Sequence, residues 1–207
     1  MLDTKIPGVQ HLEQSNNMKH LTIKEKEKTA FEVMKKDFHY KNVMAVPRLK
    51  KVVINVGTGT MIKKDKNKND SIAERLAKIT GQKPTKKGAK KSIASFKVRQ
   101  GDPIGVVVTM REKRMYDFLE KLINVALPRT KDFRGINRST LDDIGNMTMG
   151  IKEHSIFPET ADEDIKDVFP MSITLVSSAK TKAEGRAFFE LLGIPFKKED
   201  EVVKKKR

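Results

Sequence analysis

The hydrophobic residues of this chain follow two different periods, and the change from one to the other separates helices from strands. Apolar residues three and four apart form one stripe of a helix, whereas strict alternation of apolar and polar residues forms one face of a strand. The helical period predicts helices over residues 25–38, from Asp70 or Ser71 to residue 79, 113–127 and 181–192. The alternating pattern and short apolar runs predict strands over residues 51–56, 92–98, 104–111 and 170–177.

Residues at the ends of these helices support the predicted boundaries. Gly81 and Gly193 follow the second and fourth helices, where glycine commonly takes the left-handed conformation that ends a helix. Pro128 is expected to stop the third helix. Thr181 and Glu184 have the spacing of a capping box, which predicts the start of the fourth helix.

The order of the predicted elements indicates the fold class. From residue 51 it is strand, helix, strand, strand, helix, strand, helix, which predicts an α+β fold with a split β-α-β-like, antiparallel-rich sheet and helices on one face. The other face must meet solvent or a partner, and its candidate residues are polar: Asn55, Thr109, Arg111, Ser172 and Thr174. Asn55 marks either an edge or solvent-facing position, or a hydrogen-bonding group on an RNA-facing surface.

The chain divides into one domain and two extensions. Residues 1–24 are polar and lack a period, which predicts a loosely ordered N-terminal extension. Residues 25–196 form the single predicted domain, and residues 197–207 form a charged C-terminal tail. Within the domain, residues 129–158 show no clear pattern and are expected to be irregular, and such long loops are often functional. The acidic residues 162–167 are interpreted as solvated surface.

The amino-acid composition indicates that the partner of this domain is a polyanion. The 207 residues carry a net charge of +16, and there is no cysteine. This balance favours nucleic acid over an anionic membrane, because the chain lacks a strongly amphipathic basic helix. The cysteine count excludes a disulfide framework and a thiolate metal site. Without an apolar membrane span or a secretory leader, the protein is expected in the cytoplasm and not at a membrane.

The positive charge is concentrated in one stretch. No Asp or Glu occurs from Arg75 to Gly101, a window that holds nine lysines and arginines. Interleaved strand residues such as Ile93 and Phe96 indicate that these cations lie on a folded sheet and its loops. Clustered cations on a folded surface are typical of contact with RNA phosphates, whose neutralisation releases counterions. A generally basic, solvated surface is the alternative.

Signals for catalysis are weak or missing. Gly57 and Gly59 resemble the start of a dinucleotide-binding fingerprint, but Ile62 occupies the third glycine position and a lysine-rich loop follows. A tight turn that needs a positive φ explains these glycines better. The histidines lack metal-ligand spacing, and no nucleophile motif is present. A nucleotide-binding enzyme therefore remains only an alternative, and we expect no catalytic residues, no metal and no cofactor.

Long stretches of the chain resemble one known family. They are NVMAVPRLKKVVINVGTG, ITGQKPTKKGAKKSIASFKVRQGDPIG, RMYDFLEKLINVALPRTKDFRGIN, GIKEHSIFPE and AKTKAEGRAFFELLGIPF. They closely resemble the bacterial form of large-subunit ribosomal protein L-five, the family that binds 5S ribosomal RNA. The similarity covers residues 25–197 in unbroken order.

The resemblance implies a structural, non-enzymatic role in the central protuberance of the large subunit. Its expected partners are 5S rRNA, 23S rRNA, the P-site tRNA, neighbouring large-subunit proteins and, across an intersubunit bridge, a small-subunit protein. Matching the family's 5S contact and the adjoining lysines to this sequence indicates Asn55, Gln82, Lys83, Lys86, Lys87, Lys90, Lys91, Thr109 and Arg111. The family's tRNA-facing loop matches residues 92–101, where the contact residues would be Ser92, Phe96, Lys97, Val98, Arg99, Gln100 and Gly101. The tip of that loop is expected at Lys97, Arg99 and Gln100.

The sequence departs from the family pattern at three places. Ser95 and Glu112 stand where the family usually has glycine, so the tRNA-facing loop and the turn into the third helix are expected to differ. In residues 141–146, LDDIGN replaces a pattern with an additional glycine and an arginine. An RNA contact at Asp143 and Ile144 is therefore not expected to carry over.

Overall fold

The computed structural model describes residues 21–61, 67–131, 133–160 and 168–197. It confirms the α+β class. In order, the helices and strands are α1 (Ile23–Phe38), β1 (Leu49–Gly57), α2 (Lys68–Thr80), β2 (Thr85–Gly88), β3 (Pro103–Met110), α3 (Glu112–Lys121), β4 (Met147–Ile151), β5 (Met171–Ser177) and α4 (Lys182–Leu192). The strands form one antiparallel sheet in the order β2-β3-β1-β5-β4.

Strand β1 lies at the centre of the sheet, and its alternation separates two faces. Val52, Ile54 and Val56 are fully buried, whereas Asn55 between them is exposed. The neighbouring strands continue this division, since Val108 on β3 and Ile173 on β5 are paired with Ile54 and are buried as well. Burying one face in this way stabilises the sheet at about 25 cal/mol per Å² of apolar surface removed from water.

Helices cover the buried face and are linked by hydrogen bonds between side chains. The Tyr40 hydroxyl donates to the Glu184 carboxylate, which joins the end of α1 to α4. The Tyr116 hydroxyl donates to Glu27 Oε2 at 2.7 Å, which joins α3 to α1. Burial raises the pKa of both tyrosines, and their carboxylate acceptors raise it further. Both hydroxyls therefore keep their protons to a higher pH than a free tyrosine does.

The first helix begins earlier than its apolar stripe predicts. Thr22 and Glu25 form a complete capping box, and Ile23 behind the cap is buried. The folded part of the chain therefore includes residues 22–24, which were assigned to the N-terminal extension. Most of that extension and of the charged tail, the loop 62–66 and the acidic stretch 162–167 lie outside the described residues.

A strand over residues 92–98 was predicted wrongly. Only Ile93 and Val98 pair there, and a single turn of 3-10 helix, Ala94–Phe96, lies between them. The extended segment lies earlier, at β2, where Thr85 pairs with Val107. This strand is exposed at every residue and lies at the edge of the sheet, so it has no alternating pattern to indicate it.

The region 129–158 is more regular than predicted. It contains β4, which pairs with β5 and buries Met147, Met149 and Ile151 on the helix side of the sheet. The pattern MTMGI does alternate, but it is short, and Thr148 and Ile151 are its only β-branched residues. Pairing with β5 is what makes this segment a strand.

The third helix ends differently from its prediction. After α3 the chain continues as a π-helix, Leu122–Ala126, and a last α-helical turn, Leu127–Arg129. Pro128 therefore lies inside this last turn and does not stop the helix at Leu127, as was predicted. None of the helices in the described ranges is long and apolar enough to cross a bilayer.

The predicted helix ends are partly confirmed. Gly81 and Gly193 have positive φ values of 65° and 95° and end α2 and α4. Thr181 accepts from the Glu184 N–H, but the Glu184 carboxylate accepts from the Lys180 N–H instead of closing a capping box. Gly59 does lie in a turn, which the Met61 N–H closes by donating to the Thr58 carbonyl oxygen at 2.9 Å. Neither Gly57 nor Gly59 has a positive φ, so the backbone conformation predicted for this turn was wrong.

Candidate nucleic-acid interface

The face of the sheet opposite the helices is flat and built from small residues. One row across the strands runs Thr85, Val107, Asn55, Ser172, Gly150. The next row runs Thr109, Val53, Thr174, Thr148. These residues are exposed or half-buried, and no aromatic side chain occurs among them. We call this surface the open face.

Hydrogen bonds hold several side chains of the open face in place and leave Asn55 available. Thr148 and Thr174 share a hydroxyl hydrogen bond of 3.0 Å, and Ser172 donates to the Asn55 carbonyl oxygen at 3.3 Å. Among the described residues, the Asn55 side-chain amide has no hydrogen-bond partner. An exposed amide at the centre of a rigid sheet can both donate to and accept from a ligand.

Two other predicted residues lie at the margin of this face. Gln82 is half-buried and donates through Nε2 to the Thr109 carbonyl oxygen at 3.2 Å, so it braces the edge where α2 meets β3. Arg111 is exposed directly after β3, at the residue before α3. Asn55 and Thr109 thus lie on the open face, and Gln82 and Arg111 lie next to Thr109.

The lysines form a second surface beside the open face. Strand β2 carries Lys86 and Lys87 at the sheet edge, and Lys90 and Lys91 follow it. Lys86 forms an ion pair with Asp70 on α2. The positive charge of Lys86 is therefore partly neutralised by an acid that precedes the acid-free stretch 75–101. The remaining cations of this surface have no ion pair within the described part of the chain: Lys83, Lys87, Lys90 and Lys91. We call this surface the lysine edge.

The loop between β2 and β3 is anchored at its base. Ala89 exchanges backbone hydrogen bonds with Gly101 and Asp102, at 3.0 and 2.8 Å. A Cβ on Gly88 would lie 2.9 Å from the Gly101 carbonyl oxygen, so the end of β2 can approach the Gly101 backbone this closely only with glycine at residue 88. The loop therefore leaves the sheet in a defined direction.

The tip of the loop lies slightly earlier than predicted. Ile93 and Val98 exchange two backbone hydrogen bonds, of 2.9 and 3.2 Å, and enclose residues 94–97. Lys97 takes φ 52° at this tip. Arg99 and Gln100 lie nearer the base, where the Gln100 N–H donates to Ser92 Oγ at 2.9 Å and the Arg99 N–H donates to Asp102 Oδ2 at 2.7 Å. Gly101 has a φ of 90°, a conformation that glycine adopts without steric cost.

The altered segment 141–146 is occupied by contacts within the protein. Asp142 accepts from the Asn146 N–H at 2.6 Å, and Ser177 on β5 donates to the Gly145 carbonyl oxygen at 2.8 Å. A Cβ on Gly185 of α4 would lie 2.6 Å from the Gly145 Cα. The turn is therefore packed directly against α4, although Asp143 and Ile144 point outward and are exposed.

The departure at Glu112 has a structural consequence. Glu112 has a φ of 51°, which residues with a side chain rarely adopt. Glycine adopts this conformation without steric cost. The family's usual glycine would thus fit this turn better than the glutamate found here.

Sequence reasoning missed part of the interface. Thr148 and Gly150 belong to the open face because β4 pairs with β5, and Thr85 belongs to it because β2 pairs with β3. The alternation of apolar and polar residues over 147–151 was the available signal for β4. Nothing in the sequence TKKG of β2 indicated a strand. Within the described residues there is also no group of three or more metal-binding side chains.

Comparison with known proteins matches both halves of the fold to one family. A model described as "Ribosomal protein L5" matches residues 42–99, and a second model, for the C-terminus of the same ribosomal protein family, matches residues 103–196. The chain belongs to the ribosomal protein L5 family. This is a structural, non-enzymatic family, so the nucleotide-binding enzyme considered for Gly57 and Gly59 is set aside.

Similar proteins cover nearly the whole domain. The large ribosomal subunit protein uL5 of Citrifermentans bemidjiense is 50% identical over 162 residues, which is 78% of this chain and 90% of that protein. The uL5 proteins of Lawsonia intracellularis and Pelobacter propionicus are 50% and 49% identical, over 80% and 82% of this chain and 92% and 94% of theirs. The L5-family matches extend from β1 through α4, and so include the open face and the lysine edge.

Proposed function

We propose that this chain, a structural constituent of the large ribosomal subunit in the cytoplasmic ribosome, binds 5S rRNA and attaches it to the subunit at the central protuberance. In this proposal 5S rRNA lies on the open face and along the lysine edge. The loop of residues 92–101 contacts the P-site tRNA. Other surfaces meet 23S rRNA, neighbouring large-subunit proteins and a small-subunit protein across an intersubunit bridge.

The observation that carries the proposal is the juxtaposition of the open face with the lysine edge. The helix side of the sheet is filled by the protein's own core, so only the open face is accessible to a large partner. Its hydroxyls and the Asn55 amide suit ribose and backbone groups, which present donors and acceptors across an RNA minor groove. No aromatic side chain occurs among the residues of the open face, so recognition of RNA shape is favoured over recognition of splayed bases.

The lysine edge supplies the electrostatic part of binding. Lys87, Lys90 and Lys91 are exposed and have no ion pair within the described residues, so their charges are available to phosphates. Each phosphate neutralised contributes about 0.7–0.9 to the slope of log affinity against log salt. Lys86 contributes less than its neighbours in this arrangement, because Asp70 already compensates it.

Salt-dependent binding of 5S rRNA tests this proposal. We expect Lys87→Ala combined with Lys91→Ala to weaken binding and reduce the salt slope by about 1–2. Asn55→Ala should weaken binding and leave the slope unchanged, because the amide is uncharged. Lys36→Ala, an exposed lysine on α1 away from the sheet, is the matched control and should match the wild type. Salt-independent binding by the wild type would contradict the electrostatic argument.

A second experiment separates the sheet from the loop. Replacing Lys97 and Arg99 with alanine should spare 5S rRNA affinity and weaken retention of tRNA in the P site of reconstituted ribosomes. Both side chains are exposed and belong to a loop anchored at its base, so the fold should tolerate the change. A large loss of 5S rRNA affinity in this variant would show that the assignment of 5S rRNA to the sheet and tRNA to the loop is wrong.

A further inference from the structure

The C-terminal end of α2 is held to α3 by one lysine. Lys121, the last residue of α3, donates through Nζ to the Ile79 carbonyl oxygen at 2.6 Å. Ile79 lies in the last turn of α2, where carbonyl groups lack partners within the helix and form the negative end of its dipole. A cation is therefore well placed there, and a charged donor makes a stronger hydrogen bond than a neutral one.

An ion pair fixes the Lys121 side chain in this position. Its Nζ lies 2.5 Å from Glu159 Oε1, in the 3-10 turn Pro158–Thr160. The two side chains are 24% and 32% exposed, so solvent and salt screen this pair less than they screen a fully exposed one. Lys121 thus joins α2, α3 and this turn on the helix side of the sheet.

The end of α2 leads directly to Gln82. Gly81 ends the helix with a φ of 65°, and the Gln82 N–H donates to Thr80 Oγ1 at 3.4 Å. The same hydroxyl donates to the Leu76 carbonyl oxygen at 2.7 Å. Only Thr80 and Gly81, both held by hydrogen bonds, separate Ile79 from Gln82. A displacement of the Ile79 carbonyl group is therefore passed on to Gln82.

The side chain of Gln82 fills a gap in the edge of the sheet. Strand β2 begins at Thr85, which pairs with Val107, so no residue of β2 lies opposite Thr109. Gln82 Nε2 donates instead to the Thr109 carbonyl oxygen at 3.2 Å. Gln82 Oε1 has no hydrogen-bond partner among the described residues, so it is available to a donor on RNA. The location of this oxygen depends on how α2 is held against β3.

We infer that Lys121 is a positioning residue for 5S rRNA. From the helix side it holds the end of α2, so that the Gln82 amide is presented at the margin of the open face. The inference rests on the proposed function, because Gln82 serves there as part of the 5S rRNA surface. Lys121 itself makes no RNA contact in this arrangement, since Glu159 and the Ile79 carbonyl group already compensate its charge.

Affinity for 5S rRNA at several salt concentrations tests the inference. Lys121→Met should weaken binding about 2- to 30-fold, the range for residues that act on a site without touching its ligand. The salt slope should stay at the wild-type value, because no phosphate contact is lost. Lys121→Arg keeps the charge and the donors, and should retain wild-type affinity.

Lys26→Met is the matched control. Lys26 Nζ donates to the Leu192 carbonyl oxygen at 3.4 Å, at the C-terminal end of α4, as Lys121 does at the end of α2. The control removes the same kind of contact on the helix side and leaves α2 unchanged, so 5S rRNA affinity should equal that of the wild type. Equal weakening by Lys26→Met and Lys121→Met would indicate a general loss of stability and overturn the inference.

Coupling to Gln82 is a readout that a purely structural lysine would not change. Gln82→Ala removes the positioned amide, so adding Lys121→Met to it should cause no further loss of affinity. Additive losses would show that Lys121 acts by another route. A salt slope reduced by about 0.7–0.9 in Lys121→Met would show that this lysine binds a phosphate directly.

A milder variant covers the case in which Lys121→Met folds poorly. Glu159→Gln removes the ion pair and leaves the lysine in place. It should weaken 5S rRNA binding by a smaller factor than Lys121→Met, and this loss should also disappear in the Gln82→Ala background. A loss that persists in that background would contradict the inference.

The free protein separates the inference from the proposed function. In isotope-labelled protein, the side-chain amide resonances of Gln82 should shift in Lys121→Met and stay in place in Lys26→Met. Unchanged resonances in Lys121→Met would overturn the inference without any RNA. If the wild type binds 5S rRNA with a steep salt slope but Lys121→Met binds equally well, the inference fails and the function stands. If the wild type does not bind 5S rRNA, both fail.

Discussion

The two faces of strand β1 carry different chemistry on neighbouring residues. Ile54 is fully buried against the helices, and Asn55 is exposed on the open face. Ile54 pairs with Val108 and Ile173, which are also buried, whereas Asn55 pairs with Val107 and Ser172. The same backbone thus supports a close-packed core on one side and a flat polar surface on the other.

The difference separates stability from recognition. The helix side holds the apolar surface whose burial drives folding. The open face holds small and polar residues, which contribute little to the core and have no cover among the described elements of the chain. Substitutions on the two faces should therefore change different measurements, and the following predictions test this separation from the largest expected effect to the smallest.

Replacing one residue on each face of β1 with alanine tests the difference between the two faces most directly. Ile54→Ala should lower the free energy of unfolding by about 2–5 kcal/mol, because it leaves a cavity in a fully buried site. Asn55→Ala should change it by less than about 0.5 kcal/mol, as is usual for an exposed residue, and should lower 5S rRNA affinity instead. Urea unfolding and an RNA-binding titration would check both variants. A large loss of stability in Asn55→Ala would contradict the separation of stability on the helix side from recognition on the open face.

Two glycines offer a matched pair for packing. Gly185→Ala should cost about 1–3 kcal/mol of stability, because its Cβ would overlap the Gly145 backbone on the helix side. Gly150→Ala adds the same methyl group to the open face, where nothing lies within 4 Å. We expect its unfolding temperature to be unchanged or slightly raised, because alanine loses less conformational freedom than glycine on folding. Equal losses in the two variants would mean that the open face is packed in solution.

One substitution at the start of α3 should stabilise the protein. Glu112→Gly should raise the free energy of unfolding by about 0.5 kcal/mol, since relief of the positive φ outweighs the flexibility of glycine. Lys113→Gly at the next residue is the control and should lower it by about 0.5–1 kcal/mol. Chemical denaturation resolves these opposite signs. A destabilised Glu112→Gly protein would contradict the strain assigned to this turn.

The helix side also contains a carboxylate that makes stability depend on pH. Burial raises the pKa of Glu27 above its ordinary value of 4.5, although Tyr116 and Arg48 partly oppose the shift. Because the folded state holds this proton more tightly, the contribution to stability is present below pH 4.5 and is lost as pH rises through the folded pKa. The wild type should therefore lose stability relative to Glu27→Gln over this interval, measured by urea unfolding at several pH values. A constant difference would exclude the shift.

How much could be predicted from the sequence depends on how local each signal is. The helices α1 and α4 and the strands β1, β3 and β5 have apolar patterns of their own, and their predicted positions agree with the structure. Strand β2 has no such pattern, because a short edge strand with every side chain exposed leaves no mark of burial. The loop of residues 92–101 shows the opposite case. Ile93, Phe96 and Val98 are apolar and so predicted a strand, although the fold leaves them exposed or half-buried.

The candidate site shows the same limit. The basic character of residues 75–101 and the polar residue Asn55 within β1 could be seen directly in the sequence. The pairing of Lys86 with Asp70 and the addition of Thr148 and Gly150 to the open face could not. Each depends on which strands and helices become neighbours.

By itself, the sequence determined the α+β class, the buried side of the central strands and the cationic nature of the partner surface, because periodicity and charge are properties of local stretches. The tertiary structure alone decided the strand order β2-β3-β1-β5-β4 and with it which residues share the open face. It also decided that Lys121 and Ile79, far apart along the chain, meet at the end of α2. Contacts between distant segments arise from the packing of the whole chain, and no local pattern encodes them.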